Sequence, residues 1–251
     1  VLEVTATDTA ALTGSSLSSQ KRRYGAQGIV DDYAHDDAVR VLLGMIAKTA
    51  AMHDRIIKPI LSLFDGHHVR VSVLIKTSKE AASNFQEQLG YRLRTKDVPY
   101  KFIKYPSADQ IKSASGPLWI GPLMDKEIAG RLTEECAIQT CLPTSDELEE
   151  LIAKGLAWSD KDVEYATREM IRSVKHISSA ADLLSRQHML LSLNSMPRLA
   201  GTKGAPKMDD VISDLIELGY SAARYPDMEP MFVTDASFDD VISIFRKYHY
   251  D

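Results

Sequence analysis

Residues 1–8, VLEVTATD, decide how the rest of the chain is interpreted, because they have the pattern of a strand that ends in polar residues. Val1, Leu2 and Val4 are apolar and favour extended backbone, and the run closes on Asp8. A buried strand at the very start of a sequence needs neighbouring strands. We therefore expect further elements of the same sheet to lie upstream of these residues.

The segments that follow predict a helix and then a hairpin. Residues 11–20, ALTGSSLSSQ, are rich in Gly and Ser and predict a loop. Residues 31–54 begin with acidic residues and continue with apolar residues at helical spacing, which predicts an amphipathic helix. Residues 56–64 and 69–77 predict two strands that the Asp65-Gly66 turn joins.

Three strands make a small sheet, and one helix covers only one of its faces, so the other face would be uncovered and one edge unpaired. Residues 1–78 are therefore predicted to be the carboxy-terminal part of a larger α/β domain, and residues 79–251 a second, α+β domain.

The second domain mixes short strands and helices. Two strands are predicted within residues 91–105, a stiff turn segment with two Gly-Pro steps at residues 113–127, and a packing anchor at Trp119. Thr144 and Glu147 are spaced as a capping box at the start of a helix that Gly155 ends. Helices are further predicted at 125–141, 159–177, 180–193, 208–219 and 237–250, and paired strands at 220–225 and 231–236. This helix-and-strand ending predicts a winged-helix-like module.

Composition limits the classes of protein. The 251 residues carry a net charge of −5, and the sequence has no run of eighteen apolar residues that would span a membrane. Through Ser78 the net charge is +1, so RNA contacts would need a local basic patch. Cys136 and Cys141 are spaced neither for a zinc site nor for a disulfide framework, which indicates two partly buried thiols in a reducing cytoplasm. A monomer is expected.

Most catalytic motifs are absent from the sequence. It holds no glycine-rich dinucleotide loop, no phosphate-binding loop, no nucleophile elbow and no paired zinc motif. The cluster from Asp31 to Asp37 includes His35, but it is typical of an acidic helix start rather than a metal site. The sequence therefore predicts no metal and no cofactor motif of its own.

Two basic and aromatic stretches are candidates for RNA contact. Lys21, Arg22 and Arg23 precede Tyr24, so cations and an aromatic ring lie together beside the predicted loop. From Arg92 to Lys104 there are five cations and one acid, interleaved with aromatic residues. The alternatives remain open, since the first stretch also fits a solvated loop and the second an ordinary exposed hairpin.

Several segments together resemble one family, the tRNA guanine-N2 dimethyltransferases of archaea and eukaryotes. The similar segments are VTATDTAALTGS at 4–15, Arg23-Tyr24, His35-Asp36 before a long helix, residues 68–71, and GPLWIGPLMD at 116–125. Near the end, Arg224, Pro230, Thr234 and Ala236 match the family more loosely. The sequence departs from the family pattern at Thr13, Gly28-Ile29, Asp36 and Tyr225–Asp227, and it lacks the zinc-binding cysteines of some members.

The resemblance implies methylation of the exocyclic N2 of guanosine 26 in tRNA, with S-adenosylmethionine as methyl donor. It implies that residues 1–78 are the last strands of a Rossmann-like class I methyltransferase sheet, and that the donor site lies mostly upstream. Asp8 is then a candidate for the guanine pocket, although a capping Asp in a turn is the alternative. The candidate substrate-binding residues are Thr7, Lys21, Arg22, Arg23, Tyr24, His35, Arg40, Arg92, Arg94, Lys101 and Lys104.

Two other functions compete with this one. The first is a non-enzymatic nucleic-acid or protein interaction module, which the absence of a donor motif favours. The second is a transcription regulator, which rests only on the helix-plus-strand pattern at the end of the chain.

Overall fold

The computed structural model describes residues 1–95, 98–155, 159–186, 188–228 and 230–248. Within these ranges the chain forms three three-stranded antiparallel sheets, with helices between and around them. Each sheet is formed by a separate stretch of the sequence, and we number the sheets from the amino-terminal end of the chain.

The first sheet confirms the predicted strand, helix and hairpin, but the expected burial of the strand is wrong, since Val1 and Leu2 are 79% and 40% exposed. Its strands are β1 (Leu2–Ala6), β2 (Arg55–Phe64) and β3 (Val69–Thr77), in the order β1-β3-β2. Along β3, Val69, Val71 and Val73 are buried while Arg70 is exposed, which is the alternation of a sheet with one covered face. The long helix that packs against β2 and β3 is α3 (Ala34–Ala51).

The predicted loop at residues 11–20 is wrong, because two short helices lie there. They are α1 (Thr9–Leu12) and α2 (Leu17–Tyr24). The buried Gln20 side chain donates from Nε2 to the carbonyl oxygen of Leu12 at 2.9 Å, so α2 is held against α1. This tertiary hydrogen bond outweighs the low helix propensity of the serines.

The second sheet confirms the predicted strand pair and adds a third strand. Its strands are β4 (Leu89–Leu93), β5 (Lys101–Ile103) and β6 (Ala114–Trp119). The helix α4 (Lys79–Ser83) and a 3₁₀ turn (Phe85–Gln88) precede β4, and the helix α5 (Ala108–Ile111) precedes β6. The order is β5-β4-β6. The stretch predicted as a turn therefore starts as a strand, and the register of β6 with β4 shifts between Gly90 and Arg92. Trp119 is buried in the main core, which fits its predicted role as a packing anchor.

Four helices follow, and two of the predicted boundaries change. The helix predicted at 125–141 is divided into α6 (Lys126–Ala129) and α7 (Glu134–Cys141), because the Asp125 and Thr133 side chains each cap a separate helix. The capping box of Thr144 and Glu147 is present at the start of α8 (Ser145–Ala153). The fourth helix, α9 (Asp160–Leu184), has 25 residues and runs through the break that was predicted between helices at 159–177 and 180–193. Cys136 and Cys141 on α7 are exposed, so the predicted partial burial of their thiols is wrong.

The third sheet closes the described chain. Residues 189–192 were expected to be helical, but they form a strand. The predicted paired strands and the two helices near the end are confirmed. The elements are β7 (Met189–Ser192), α10 (Met196–Ala200), α11 (Met208–Glu217), β8 (Ala222–Arg224), β9 (Met231–Thr234) and α12 (Phe238–Lys247), with the strand order β7-β9-β8.

One hydrophobic core runs through all three sheets. It contains Leu43 of α3, Leu118 of β6 and Val233 of β9, whereas a smaller core lies between the third sheet and α10 to α12. The domain boundary proposed after residue 78 falls between β3 and α4, and residues on both sides of it share the larger core. None of the helices in the described part of the chain combines the length and the apolar character needed to cross a membrane.

Candidate functional site

The carboxyl ends of β1 and β2 lie at the same edge of the first sheet. Both strands pair antiparallel with β3, so they run parallel to each other on its two sides. The register places Ala6, Val69 and Phe64 in one row, at the point where β1 and β2 end. We call the residues at this end the strand edge; they are Thr7, Asp8, His35, Phe64, Asp65 and His68.

Asp8 leaves β1 at the strand edge and makes an ion pair with Arg23 of α2. Its backbone carbonyl accepts hydrogen bonds from the amides of Ala11 and Leu12, at 3.1 and 3.0 Å, and so begins α1. Its carboxylate does not cap that helix. The side chain is therefore directed to the cation, while the neighbouring Thr7 is exposed.

The cations predicted to bind phosphates lie on the last turn of α2. Lys21, Arg22 and Arg23 are all exposed, and Gly25 ends the helix in the left-handed conformation, with φ 63°. Cations at the carboxyl end of a helix also interact favourably with its dipole. The basic stretch is thus a helical surface rather than the flexible loop that the sequence suggested.

Tyr24 follows these cations and is half-buried. Burial, and then the negative charge of Asp8, raise the pKa of its phenol. The phenol therefore stays neutral, and it lies close enough to Asp8 to be affected by its charge.

Two glycines allow the connection after α2 to approach the end of α1. A side chain at Gly28 would place its first carbon 3.0 Å from the Gln20 amide and 3.1 Å from the Cα of Gly14. Beyond Gly28, the amide of Ile29 donates to the Ser115 hydroxyl at 2.9 Å, so the segment is joined to β6. The basic helix is consequently fixed to both the first and the second sheet.

His35 lies at the strand edge because its ring stacks on Phe64. The ring centroids are 4.2 Å apart and the planes differ by 12°. His35 is exposed as a whole, but the partial burial of its ring lowers its pKa, so its imidazole is neutral at pH 7. Phe64 is buried, and nothing in the apolar run that contains it distinguished it from an ordinary core residue.

Asp65 and His68 complete the strand edge within the β2–β3 turn. The Asp65 carboxylate accepts from the His68 and His67 amides, at 2.7 and 3.2 Å, and lies 3.1 Å from the His68 ring. Burial opposes its charge, but these hydrogen bonds hold the pKa of Asp65 below its ordinary value. The Asp-Gly turn was visible in the sequence, whereas its position at the same end of the sheet as His35 and Asp8 was not.

Arg40 and Arg92 correct the predicted surface contacts, because both side chains are in the interior. Arg40 is 2% exposed and donates from Nε to Asp36 at 2.6 Å. Arg92 is 0% exposed and donates to Asp37 and Asp31. Guanidinium groups in these positions stabilise buried carboxylates and have no face left for an external phosphate.

The remaining predicted cations lie on the second sheet. Arg94 is exposed and donates to Asp31 at 2.8 Å, and Lys104 is paired with Glu87 at 2.7 Å. Lys101 is exposed, and it has no ion-pair partner within the described ranges of residues. Lys96 lies outside the described residues. Arg94, Lys101 and Lys104 are therefore a second, weaker set of candidate phosphate contacts.

The structure has two clefts of note, and neither contains Asp8. The larger, of about 870 Å³, lies along the beginning of β2, where Trp119, Met124 and Phe85 contribute to its walls. The smaller, of about 210 Å³, is lined by residues that include Arg94 and Arg198. Across the described segments, no group of three or more His, Cys, Asp or Glu side chains is arranged to hold a metal ion.

Comparison with known proteins places this geometry in context. Residues 1–246 match the family model of the N2,N2-dimethylguanosine tRNA methyltransferases. The chain is 27% identical over 254 residues to the tRNA (guanine(26)-N(2))-dimethyltransferase of Archaeoglobus fulgidus, an alignment that covers 98% of this chain and 62% of the relative. It is 35% identical over 135 residues to that of Thermoplasma volcanium, covering 53% of this chain and 36% of the relative.

A solved structure shows the same arrangement. The complex of Trm1 from Pyrococcus horikoshii with S-adenosyl-L-methionine superposes with a TM-score of 0.72 at 26% identity, over 97% of this chain and 58% of that one. The fold described above is therefore shared with this relative. The chain spans about three fifths of the length of the relatives that it matches from end to end.

Proposed function

Because this chain belongs to the N2,N2-dimethylguanosine tRNA methyltransferase family, we propose that it takes part in S-adenosylmethionine-dependent methylation of N2 of guanosine 26 in tRNA. The observation that carries the proposal is the strand edge, where Asp8 is paired with Arg23 of the basic helix α2 and the neutral His35 stacks on Phe64. In open α/β sheets the carboxyl ends of parallel strands are where ligands bind.

The strand edge fits an RNA substrate better than it fits the methyl donor. The donor carries a sulfonium cation, which the three cations of α2 would repel, and the Asp8 carboxylate is already neutralised by Arg23. No glycine-rich phosphate or dinucleotide loop occurs in the sequence. We propose that the family's donor site lies mainly in the two fifths of the relatives that have no counterpart in these residues.

On the substrate side, we assign the guanine pocket to Asp8, Thr7 and His35. Methylation of an exocyclic amine requires an acceptor for its proton, and a carboxylate or a neutral imidazole can accept one. The target base would have to leave its stack to reach the strand edge. Tyr24, half-buried beside Asp8, offers an aromatic face on which such a base can stack.

The phosphates of the tRNA backbone are assigned to Lys21 and Arg22, with Arg94, Lys101 and Lys104 as more distant contacts. Arg23 holds Asp8 and so links the phosphate-binding helix to the pocket. We further propose that β1, β2 and β3 are the last strands of a Rossmann-like sheet, and that residues 79–251 form a tRNA-binding domain with a winged-helix-like end.

The test is transfer of labelled methyl from S-adenosylmethionine to unmodified tRNA, run with this 251-residue chain and with the full open reading frame that encodes it. We expect transfer to a guanosine N2 with the full frame and tRNA binding without transfer with the chain alone. Binding of tRNA by both and transfer by neither would favour the alternative, a non-enzymatic RNA-binding module. Transfer by the chain alone would show that the donor site lies within these residues.

A further inference from the structure

A buried carboxylate at the start of α3 is joined to a tyrosine that lies 189 positions later in the chain. The Tyr225 hydroxyl donates to Oδ1 of Asp36 at 2.9 Å, and Nε of Arg40 donates to Oδ2 of the same carboxylate at 2.6 Å. Asp36, Arg40 and Tyr225 are 1%, 2% and 1% exposed. We call these three residues the buried triad.

The buried triad joins all three sheets. Arg40 also donates from Nη1 to the carbonyl oxygen of Trp119 at 3.2 Å, and its guanidinium lies 4.9 Å from the centroid of the Phe102 ring. Tyr225 follows β8, and its amide donates to the carbonyl of Met231 at 2.9 Å in the third sheet. The helix of the first sheet is therefore attached to the second and third sheets through one set of desolvated polar groups.

The carboxylate of Asp36 is fully engaged by these partners. Burial by itself would lower the pKa of Arg40, but Asp36 and the neighbouring tyrosines hold it above its ordinary value. An ionised group in such a place depends on each hydrogen bond that it accepts or donates. Loss of the Tyr225 hydroxyl would leave Oδ1 of Asp36 without a donor, and the first turn of α3 would have to move to satisfy it.

His35 is the residue directly before Asp36, on the same turn. Its ring stacks on Phe64 at the strand edge, while the Asp36 side chain is directed into the core. Because His35 and Asp36 lie on one helical turn, a movement of Asp36 would also move the backbone that carries the His35 ring.

We propose that Tyr225 is a positioning residue, whose hydroxyl acts through Asp36 to fix the His35 ring at the strand edge. The third sheet, which follows α9 in the chain, thereby sets the geometry of the guanine pocket. The structural part of this proposal stands on the buried triad alone, and its consequence for catalysis rests on the proposed function.

The experiment compares Tyr225→Phe with Tyr220→Phe. The control also removes a single tyrosine hydroxyl that contacts an aspartate. The Tyr220 hydroxyl lies 2.7 Å from Asp240, and neither residue belongs to the triad. The readout is the NMR signal of the His35 ring protons in this chain, identified by its loss in His35→Asn. Stacking on Phe64 displaces these protons upfield, and we expect Tyr225→Phe to lose most of that displacement while Tyr220→Phe keeps it.

An unchanged His35 signal in folded Tyr225→Phe would overturn the proposal. Should Tyr225→Phe fail to fold, Asp36→Asn tests the same link with the shape of the side chain kept, and the same loss of displacement is expected. Failure of both variants to fold would show that the triad serves the fold alone, which also overturns the positioning role.

In the full reading frame we expect Tyr225→Phe to lower kcat for tRNA methylation and to leave KM within about twofold, as for an interaction made in the transition state. If Tyr225→Phe loses the upfield displacement of the His35 signal and its kcat is nevertheless unchanged, the catalytic consequence is overturned. The NMR measurement needs no RNA, so its result is independent of whether the proposed function is correct.

Discussion

Arg92 donates two parallel hydrogen bonds to the Asp37 carboxylate, from Nε at 2.8 Å and from Nη2 at 2.6 Å, although the two residues are 55 positions apart in the chain. Both side chains are essentially inaccessible to water, at 0% and 1% exposed. The same guanidinium donates to both oxygens of Asp31, at 3.0 and 3.1 Å. β4 is thereby tied to the start of α3, so the second sheet and the first are connected by buried charge as well as by apolar contact.

The first prediction concerns this pair. Arg92→Ala should lower the free energy of unfolding by about 3–5 kcal/mol, because it leaves the buried carboxylate of Asp37 without its partner. Unfolding in urea, followed by circular dichroism, measures the change.

Arg94→Ala is the matched control for Arg92→Ala. Arg94 contacts Asp31 as well, but its side chain is 55% exposed, so its loss should cost less than about 1 kcal/mol. Equal losses from the two variants would contradict an interior role for Arg92.

The second prediction tests Asp8 in the full reading frame. Asp8→Asn keeps the size of the side chain and removes its charge, so methyl transfer should fall by about 10²-fold if this carboxylate accepts the amine proton. The affinity for tRNA should stay nearly constant, since the lost group is no phosphate ligand. Initial rates and a filter-binding titration give the two quantities.

Glu3→Gln provides the control for Asp8→Asn. Glu3 is an exposed carboxylate of β1, the strand that Asp8 follows, and it is hydrogen-bonded to Ser72. Its loss should leave methyl transfer unaltered. If Asp8→Asn also turns over at the unmutated rate, Asp8 serves only to hold Arg23.

The third prediction concerns the basic turn of α2. Lys21→Ala combined with Arg22→Ala should weaken tRNA binding and flatten its salt dependence, because each lost phosphate contact removes about 0.7–0.9 from the slope of log K against log salt. Titrations of this chain with tRNA at several salt concentrations measure both effects.

The double variant Lys112→Ala with Lys154→Ala removes the same charge elsewhere. These two lysines are exposed and lie in local ion pairs with Asp109 and Glu150. The control should retain the slope of the unmutated chain. A slope that is flattened equally in both double variants would mean that only net charge matters, and that α2 is not a specific contact.

Local patterns in the sequence predicted much of the fold. The alternation of Val69, Val71 and Val73 predicted β3, the helical spacing after Asp37 predicted α3, and the spacing of Thr144 and Glu147 predicted the capping box. Such features depend on neighbours within a few residues, so a single sequence contains the information.

Other features depend on partners far apart in the chain. Arg92 is buried because it pairs with Asp37, 55 residues away, and the Arg40–Asp36 pair is buried through its contacts with the distant Trp119 and Tyr225. Alternation along a strand assigns a side chain to a face, but it does not say which face is buried. For this reason two cations of the candidate site proved to be interior residues, while Asp8, His35 and the basic turn of α2 lie at or near one edge.

The division of the predicted helix at residues 125–141 was open to detection. Thr133 is followed by two glutamates, and its hydroxyl accepts from the Cys136 amide at 3.2 Å, as a capping residue does. The signal is short, and it lies inside a longer stretch of helix-favouring residues. The tertiary contacts of α6 and α7 with α9 explain why two short helices are stable there.

The last prediction concerns pH and uses His188. Its Nδ1 lies 2.9 Å from the Leu183 carbonyl and 3.0 Å from that of Arg186, and its Nε2 is buried with no hydrogen-bond partner among the residues that the structure describes. Burial, and then the charge of Arg40, lower the pKa of His188 in the folded chain. As the pH falls through the ordinary histidine value of about 6.5, the unfolded chain takes up a proton that the folded chain does not.

Stability should therefore be fully present above about pH 7 and be lost as the pH falls below 6.5, with a slope of up to about 1.4 kcal/mol per pH unit from this residue. Urea unfolding at pH 7.5, 6.5 and 5.5 measures the slope before most carboxylates titrate. His188→Asn keeps a donor for the two carbonyls and cannot be protonated, so the slope should become shallower. His53→Asn, at an exposed histidine, should keep the slope of the unmutated chain, and a shallower slope in this control alone would contradict the role of His188.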